Sequence, residues 1–91
     1  MVNQINLKKK LLYQSTHRGC KELDIILGGF AEKFLMKLES KSTLDYQELL
    51  NAADNDIYDW ITKKKIPPTK YNTEILREII SYNTKQHEKK L

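Results

Sequence analysis

Apolar side chains recur along this chain at three- and four-residue steps, and the pattern predicts five helices. The longest run is Leu23, Ile26, Leu27, Phe30, Phe34, Leu35 and Leu38, which predicts a central helix over residues 20–39. Before it, Leu7 and Leu11 share a face with Leu12 and Ser15 beside it, so a first helix is expected over residues 5–16. Asn6 is its expected N-cap, and Lys8, Lys9 and Lys10 are expected on the wet side. Gly19 then ends the pattern, as a glycine just past a helix commonly does.

After the polar connection Ser40-Lys41-Ser42-Thr43, either Ser42 or Thr43 is expected to cap a third helix, with Tyr46, Leu49, Leu50 and Ala53 inward. Asp54-Asn55-Asp56 opens a short fourth helix carrying Ile57, Trp60 and Ile61, and Pro67-Pro68 stops it. Asn72 or Thr73 caps a fifth, with Ile75, Leu76, Ile79 and Ile80 facing in. Beyond about residue 82 the chain is polar and is expected to fray. No stretch alternates at period two or carries hairpin turn chemistry. The expectation is a single all-α domain over residues 1–91, a small five-helix bundle with short loops. Gly28-Gly29 sits inside the central pattern, where each glycine costs about 1 kcal/mol relative to alanine. Either another helix comes close there or the helix breaks; the unchanged apolar phase favours continuity.

Composition narrows the function classes. The chain has 91 residues, 40% apolar and 31% charged, which suits one folded domain with one modest core. No apolar run approaches the roughly 20 residues of a membrane span. The start lacks the apolar region of a signal peptide, so the expectation is a mature chain beginning near Met1 in a bacterial cytoplasm. A lone cysteine, Cys20, excludes an intramolecular disulfide, and no Cys/His spacing suits zinc. The net charge is +4. Lysine runs supply it, without interleaved arginines or aromatics, so a small basic nucleic-acid-binding or regulatory module is the second reading. The arginines are Arg18 and Arg77, and in so lysine-biased a chain an arginine suggests that a planar, bidentate donor matters.

Catalytic chemistry is thin. His17 and Cys20 are a possible base and nucleophile, but no third group orients them. His87 lies in the polar tail. There is no glycine-rich phosphate loop. Asp54-Asn55-Asp56 lacks the length and glycine of a calcium loop, and capping explains it better. The polar cluster before the central helix admits two readings. In the first, Gly19 only ends a helix, Arg18 only faces that helix's C-terminal dipole, Glu22 reaches back to a cap N–H, and Asp24 is solvated. In the second, Arg18 and Glu22 project from one exposed corner and Gly19 lets another backbone approach. A protruding polar corner suits a protein partner, whereas a cofactor site is concave and mostly apolar.

Arg18-Gly19-Cys20-Lys21-Glu22 resembles the Arg-Gly-x-x-Glu signature of the succinate dehydrogenase flavin assembly factors, the flavinators. Leu11-Leu12-Tyr13, Leu23-Asp24, Leu27-Gly28, Phe30 and the block Asp54-x-Asp56-Ile57-Tyr58-x-Trp60 extend the resemblance to about residues 11–60. His17 stands where a second basic residue is common, and Cys20 where methionine is common. The resemblance implies a small helical protein that is not an enzyme and that binds the flavoprotein subunit of succinate dehydrogenase or of fumarate reductase. Five helices on so short a chain leave little room for a deep pocket, so no tightly bound cofactor is expected, and with no metal spacing and no membrane span the expectation is a monomer that holds no metal and inserts in no membrane. The resemblance further implies that FAD becomes covalently attached to that partner. The contact it implies is Arg18, Gly19 and Glu22, with Asp24 and His17 at its edge.

Overall fold

The computed structural model describes residues 4–89, with side chains described for residues 4–86. His87 and the Lys89-Lys90 run therefore lie outside the described side chains. The helices are α1 (Gln4–Thr16), α2 (Lys21–Phe34), α3 (Ser40–Leu50), α4 (Asp54–Ile61) and α5 (Glu74–Lys89), with 3₁₀ turns at Leu35–Lys37 and Thr69–Tyr71. No strand occurs among the described residues, so the fold is the expected all-α bundle. The core follows the predicted stripes: Leu11, Leu23, Leu27, Phe30, Leu35, Tyr46, Leu49, Ile57, Trp60, Ile61, Ile75, Leu76 and Ile79 are all buried.

Helix α2 folds back along α1. The end of α1 meets the middle of α2, and Lys8 near the start of α1 reaches the backbone beyond the end of α2. That antiparallel pair packs against α3 through α1 and against α5 through α2. Helix α2 is continuous through Gly28-Gly29, and both glycines sit at close approaches. A Cβ at Gly28 would lie 2.9 Å from Thr16 Cγ2, and one at Gly29 would lie 2.6 Å from the Tyr82 hydroxyl.

Several boundaries differ from expectation for local reasons. Helix α1 already includes Gln4 and Ile5, so Asn6 is a helical residue and not its cap. Helix α2 stops at Phe34, short of residue 39, and Phe34 is exposed. A 3₁₀ turn follows, and the Lys8 ammonium donates to Met36 O (3.0 Å) and Leu38 O (2.6 Å), satisfying carbonyls that the helix end leaves free. Lys8 is thus buried, not on the wet side with Lys9 and Lys10. Helix α3 starts at Ser40, with Glu39 as its extended N-cap. Thr43, expected as a cap, is buried inside the helix and donates its hydroxyl back to Glu39 O (2.9 Å). Ala53 is exposed, standing before α4 instead of in the core.

Thr73 does cap α5: its Oγ1 accepts the Leu76 N–H at 3.4 Å. The backbone stays helical past residue 82, to Lys89, where fraying was expected. Helix α4 closes on Lys63, whose φ of 66° is left-handed. Lys63 N–H donates to Trp60 O and Lys64 N–H to Asp59 O, a Schellman closure with lysine where glycine is usual.

Tyr46 is fully buried and its hydroxyl pairs with Ser15 Oγ. Ser15 gives its own proton to Leu11 O (2.7 Å), which leaves Tyr46 as the donor. Burial pushes the Tyr46 hydroxyl from the ordinary 10 up to about 12. The unfolded chain loses this proton first, so the contribution is complete below pH 10 and is lost as pH rises toward 12. Chemical denaturation at pH 9 and pH 12 should show the wild type losing about 2–3 kcal/mol more than Tyr46→Phe. Separately, Gly28→Ala should lower Tm by several degrees despite alanine's better helix propensity, because the β-branched Thr16 cannot swing clear. Thr16→Ser, which removes the clashing methyl, should restore most of that loss in a double-mutant cycle read by thermal melts.

Candidate functional site

Residues 17–20 form the bend between α1 and α2, and its polar groups divide into an inner and an outer set. Gly19 has φ +90°, a left-handed conformation that makes the sharp reversal possible, and a Cβ there would meet nothing within 4 Å. Asp24, one turn into α2, accepts the Arg18 backbone N–H on Oδ1 at 2.8 Å. Asp24 therefore closes the bend, the task the sequence suggested for Glu22. The N-cap of α2 is Cys20, whose side chain makes no capping bond.

Arg18 does not project from the corner, and this corrects the expectation that its guanidinium is offered outward. Its side chain is only 12% exposed. Nε donates to Asp54 Oδ1 at 2.7 Å, Nη1 to Leu50 O at 2.7 Å, and Nη2 to Ala52 O at 3.0 Å. Leu50 is the last residue of α3 and Asp54 the first of α4. The cation thus sits on the free carbonyls at the negative end of one helix dipole. Its carboxylate partner sits at the positive end of the next. One planar fork ties the α1–α2 bend to the α3–α4 corner, and a lysine ammonium has no matching geometry.

The outer set remains available. Glu22 is exposed, and its carboxylate meets the Cys20 thiol, a weak donor 3.6 Å from Oε2. His17 is exposed and stacks on Tyr13, with ring centres 4.0 Å apart and planes within 12°. Its Nδ1 lies 2.9 Å from Tyr13 O and 2.8 Å from Thr16 Oγ1. Those bonds orient the ring locally, and Cys20 contacts Glu22 instead of His17, so the His17–Cys20 pair is not assembled. Among the described residues no group of three or more His, Cys, Asp and Glu side chains is placed to hold a metal ion, and no helix is long and apolar enough to cross a membrane.

Of the five residues singled out in the sequence, Arg18 and Asp24 build the corner from within, and His17, Gly19 and Glu22 form its surface. Asp54 belongs to the site and was read only as a helix-capping residue. Its membership was signalled by the Asp54-x-Asp56-Ile57-Tyr58-x-Trp60 block.

Residues 9–83 match the family model described as flavinator of succinate dehydrogenase. The chain is similar to succinate dehydrogenase assembly factor 2, mitochondrial, of Dictyostelium discoideum, at 46% identity over 71 residues, covering 78% of this chain and 50% of that protein. It is similar to assembly factor 2-B, mitochondrial, of Drosophila yakuba, at 39% identity over 84 residues, covering 90% and 53%. A third relative, assembly factor 2-A, mitochondrial, of Drosophila persimilis, is 44% identical over 72 residues, covering 77% and 45%. The chain spans about half the length of these curated relatives. They are eukaryotic proteins named as mitochondrial, which overturns the expectation of a bacterial cytoplasm. A helical pattern starting near Met1 carries no information about compartment.

Removing the Arg18 fork leaves a carboxylate and two carbonyls facing a gap. Arg18→Ala should destabilise the chain by about 3 kcal/mol in urea denaturation, less than a wholly buried pair because Asp54 is partly solvated. Arg18→Lys should recover only a minor part of that loss.

Proposed function

This chain belongs to the family of succinate dehydrogenase flavinators, and on that premise we propose that it is an assembly factor that binds the enzyme's flavoprotein subunit. Binding promotes covalent attachment of FAD to that subunit. The factor is not itself an enzyme, and the flavin belongs to the partner.

The observation that carries this reading is a stiff corner whose outer face is left unpaired. Arg18 fastens the corner from inside, and the Glu22 carboxylate stands on its surface with only a thiol for company. An exposed carboxylate on a held backbone is a strong acceptor for a partner's arginine, lysine or backbone N–H, because little backbone freedom is lost beneath it on docking. Gly19 adds room: with no side chain and nothing of its own chain nearby, it admits a partner backbone. His17, held flat against Tyr13, forms the edge of that surface. In this reading Arg18 is a positioning residue and Glu22 a contact residue.

Such a factor accelerates flavin attachment only if it binds the attachment-competent arrangement of the flavoprotein more tightly than the alternatives. No reacting group on the factor is needed.

Glu22→Ala is the direct test. As an exposed substitution it should leave helicity unchanged and stability within about 0.5 kcal/mol of wild type. Titration against the purified flavoprotein subunit should show binding at least tenfold weaker, and the partner should carry less covalent flavin by in-gel fluorescence. Normal binding and normal flavin content would remove Glu22 from the contact.

A further inference from the structure

Glu22 of the corner stands in the first turn of α2, and Lys33 stands in its last. Their spacing is about three full turns, so both lie on one face, roughly 16 Å apart along the axis. Ile25, one turn beyond Glu22, is a large apolar side chain left exposed. Tyr82 of α5 leans on the same face: Gly29 has no Cβ, and the Tyr82 hydroxyl takes the space that one would fill. The Lys33 ammonium lies 5.5 Å from the centre of the Tyr82 ring, which meets Phe30 and Phe34 edge-on. Tyr82 also lines the hollow beside Glu22, so one seam between α2 and α5 joins the corner to the far end of α2.

At that far end Phe30, Phe34 and Tyr82 wall a pocket of about 300 Å³. Lys37 and Lys85, both exposed, stand at its rim, and Lys33 lies over its Tyr82 wall. Glu78 is the acid among its walls; Glu32, beside Lys33 in the sequence, is not one of them. None of the three lysines pairs with a carboxylate among the described residues. Three ammonium groups against one carboxylate give an aromatic floor a positive rim. Such a rim takes an anion, and such a floor takes an apolar or aromatic side chain. Phe34 and Met36 beside the pocket are exposed, as Ile25 is further along the seam. A free anion would satisfy the lysines and leave these apolar groups in water. A protein surface that already rests on the corner reaches both.

We propose that the partner-binding surface continues from the corner along the α2–α5 seam to this pocket, which receives an apolar side chain of the flavoprotein subunit beside an aspartate or glutamate. The inference rests on the partner-binding reading given above and adds a second point of contact, roughly 16 Å from the first. Two points on one helix fix the orientation of the bound surface, which a single carboxylate does not. The second point also gives α5 a place in recognition.

The experiment titrates purified flavoprotein subunit by calorimetry against wild type, Glu22→Ala, Glu78→Gln and two charge-reversed pairs, with a thermal melt of each. The pairs are Lys37→Glu/Lys85→Glu at the pocket and Lys9→Glu/Lys10→Glu on the wet side of α1; all of these residues are exposed. The pocket pair should weaken binding at least tenfold or so. The α1 pair, an equal change of charge, should stay within about twofold of wild type. Glu78→Gln, which removes the opposing acid, should tighten binding about two- to threefold. Equal losses from the two pairs, or no loss from the pocket pair, overturn the proposal. If the pocket pair melts early, Glu78→Gln decides, and an unchanged affinity overturns it. If Glu22→Ala loses affinity and the pocket pair does not, the pocket falls and the corner stands. If wild type fails to bind the subunit, both fall. Without the subunit, wild type should not sediment with vesicles of anionic phospholipid. Sedimentation that the pocket pair abolishes assigns these lysines to lipid headgroups and overturns the proposal.

Discussion

The bundle depends on two cations, Lys8 of α1 and Arg18 of the bend that follows it, that end up on the backbone of later elements. Lys8 donates to Met36 O and Leu38 O beyond the end of α2, and Arg18 to Leu50 O and Ala52 O at the end of α3. A helix C-terminus leaves carbonyls without intrahelical partners and carries partial negative charge. In a chain this short, the loops that would otherwise satisfy those groups are brief. Placing a positive side chain on each end neutralises the dipole and fastens the later helix to α1 in the same contact. Arg18 does more than Lys8 because its fork also takes the Asp54 carboxylate, so both sides of the α3–α4 corner are held at once.

This arrangement accounts for how the outer face of the bend can be polar and still ordered. Gly19 turns the backbone, Asp24 closes the turn from within, and Arg18 anchors it across the molecule. None of the three needs Glu22 or the exposed face of His17, which remain on the surface with local contacts only. A signature with fixed spacing then has a divided rationale. Its arginine and glycine shape the support, and its glutamate is what the support displays.

Much of the fold was legible in the sequence because burial follows period. Leu11, Leu23, Leu27, Ile57 and Ile79 lie on the stripes that the three- and four-residue steps drew, and Gly28-Gly29 marked close approach without a break because the apolar phase did not change across it. The resemblance carried by Arg18-Gly19-x-x-Glu22 and the Asp54 block was legible too, and the family match agrees with it. What periodicity could not show was the destination of a charged side chain. Lys8 and Arg18 are buried by carbonyls some 30 residues away, which no local window contains. For the same reason the isolated arginine correctly hinted at a planar multidentate donor, yet gave no sign that its acceptors lie in its own chain. Helix ends shifted where a side chain competed with the expected cap, as Thr43 does by bonding back to Glu39.

The Arg18 fork spans sequence separations of 32 to 36 residues. Its acceptors are brought to it only when α3 has ended, α4 has begun and their corner has docked against the α1–α2 bend. In any state where that docking is undone, the guanidinium has no carbonyls to hold and the bend loses its anchor. Display of the outer face is therefore thermodynamically linked to completion of tertiary structure, by the same free energy that the fork contributes. A nascent or damaged copy would lack the ordered corner, so the outer face is presented only by a completed fold.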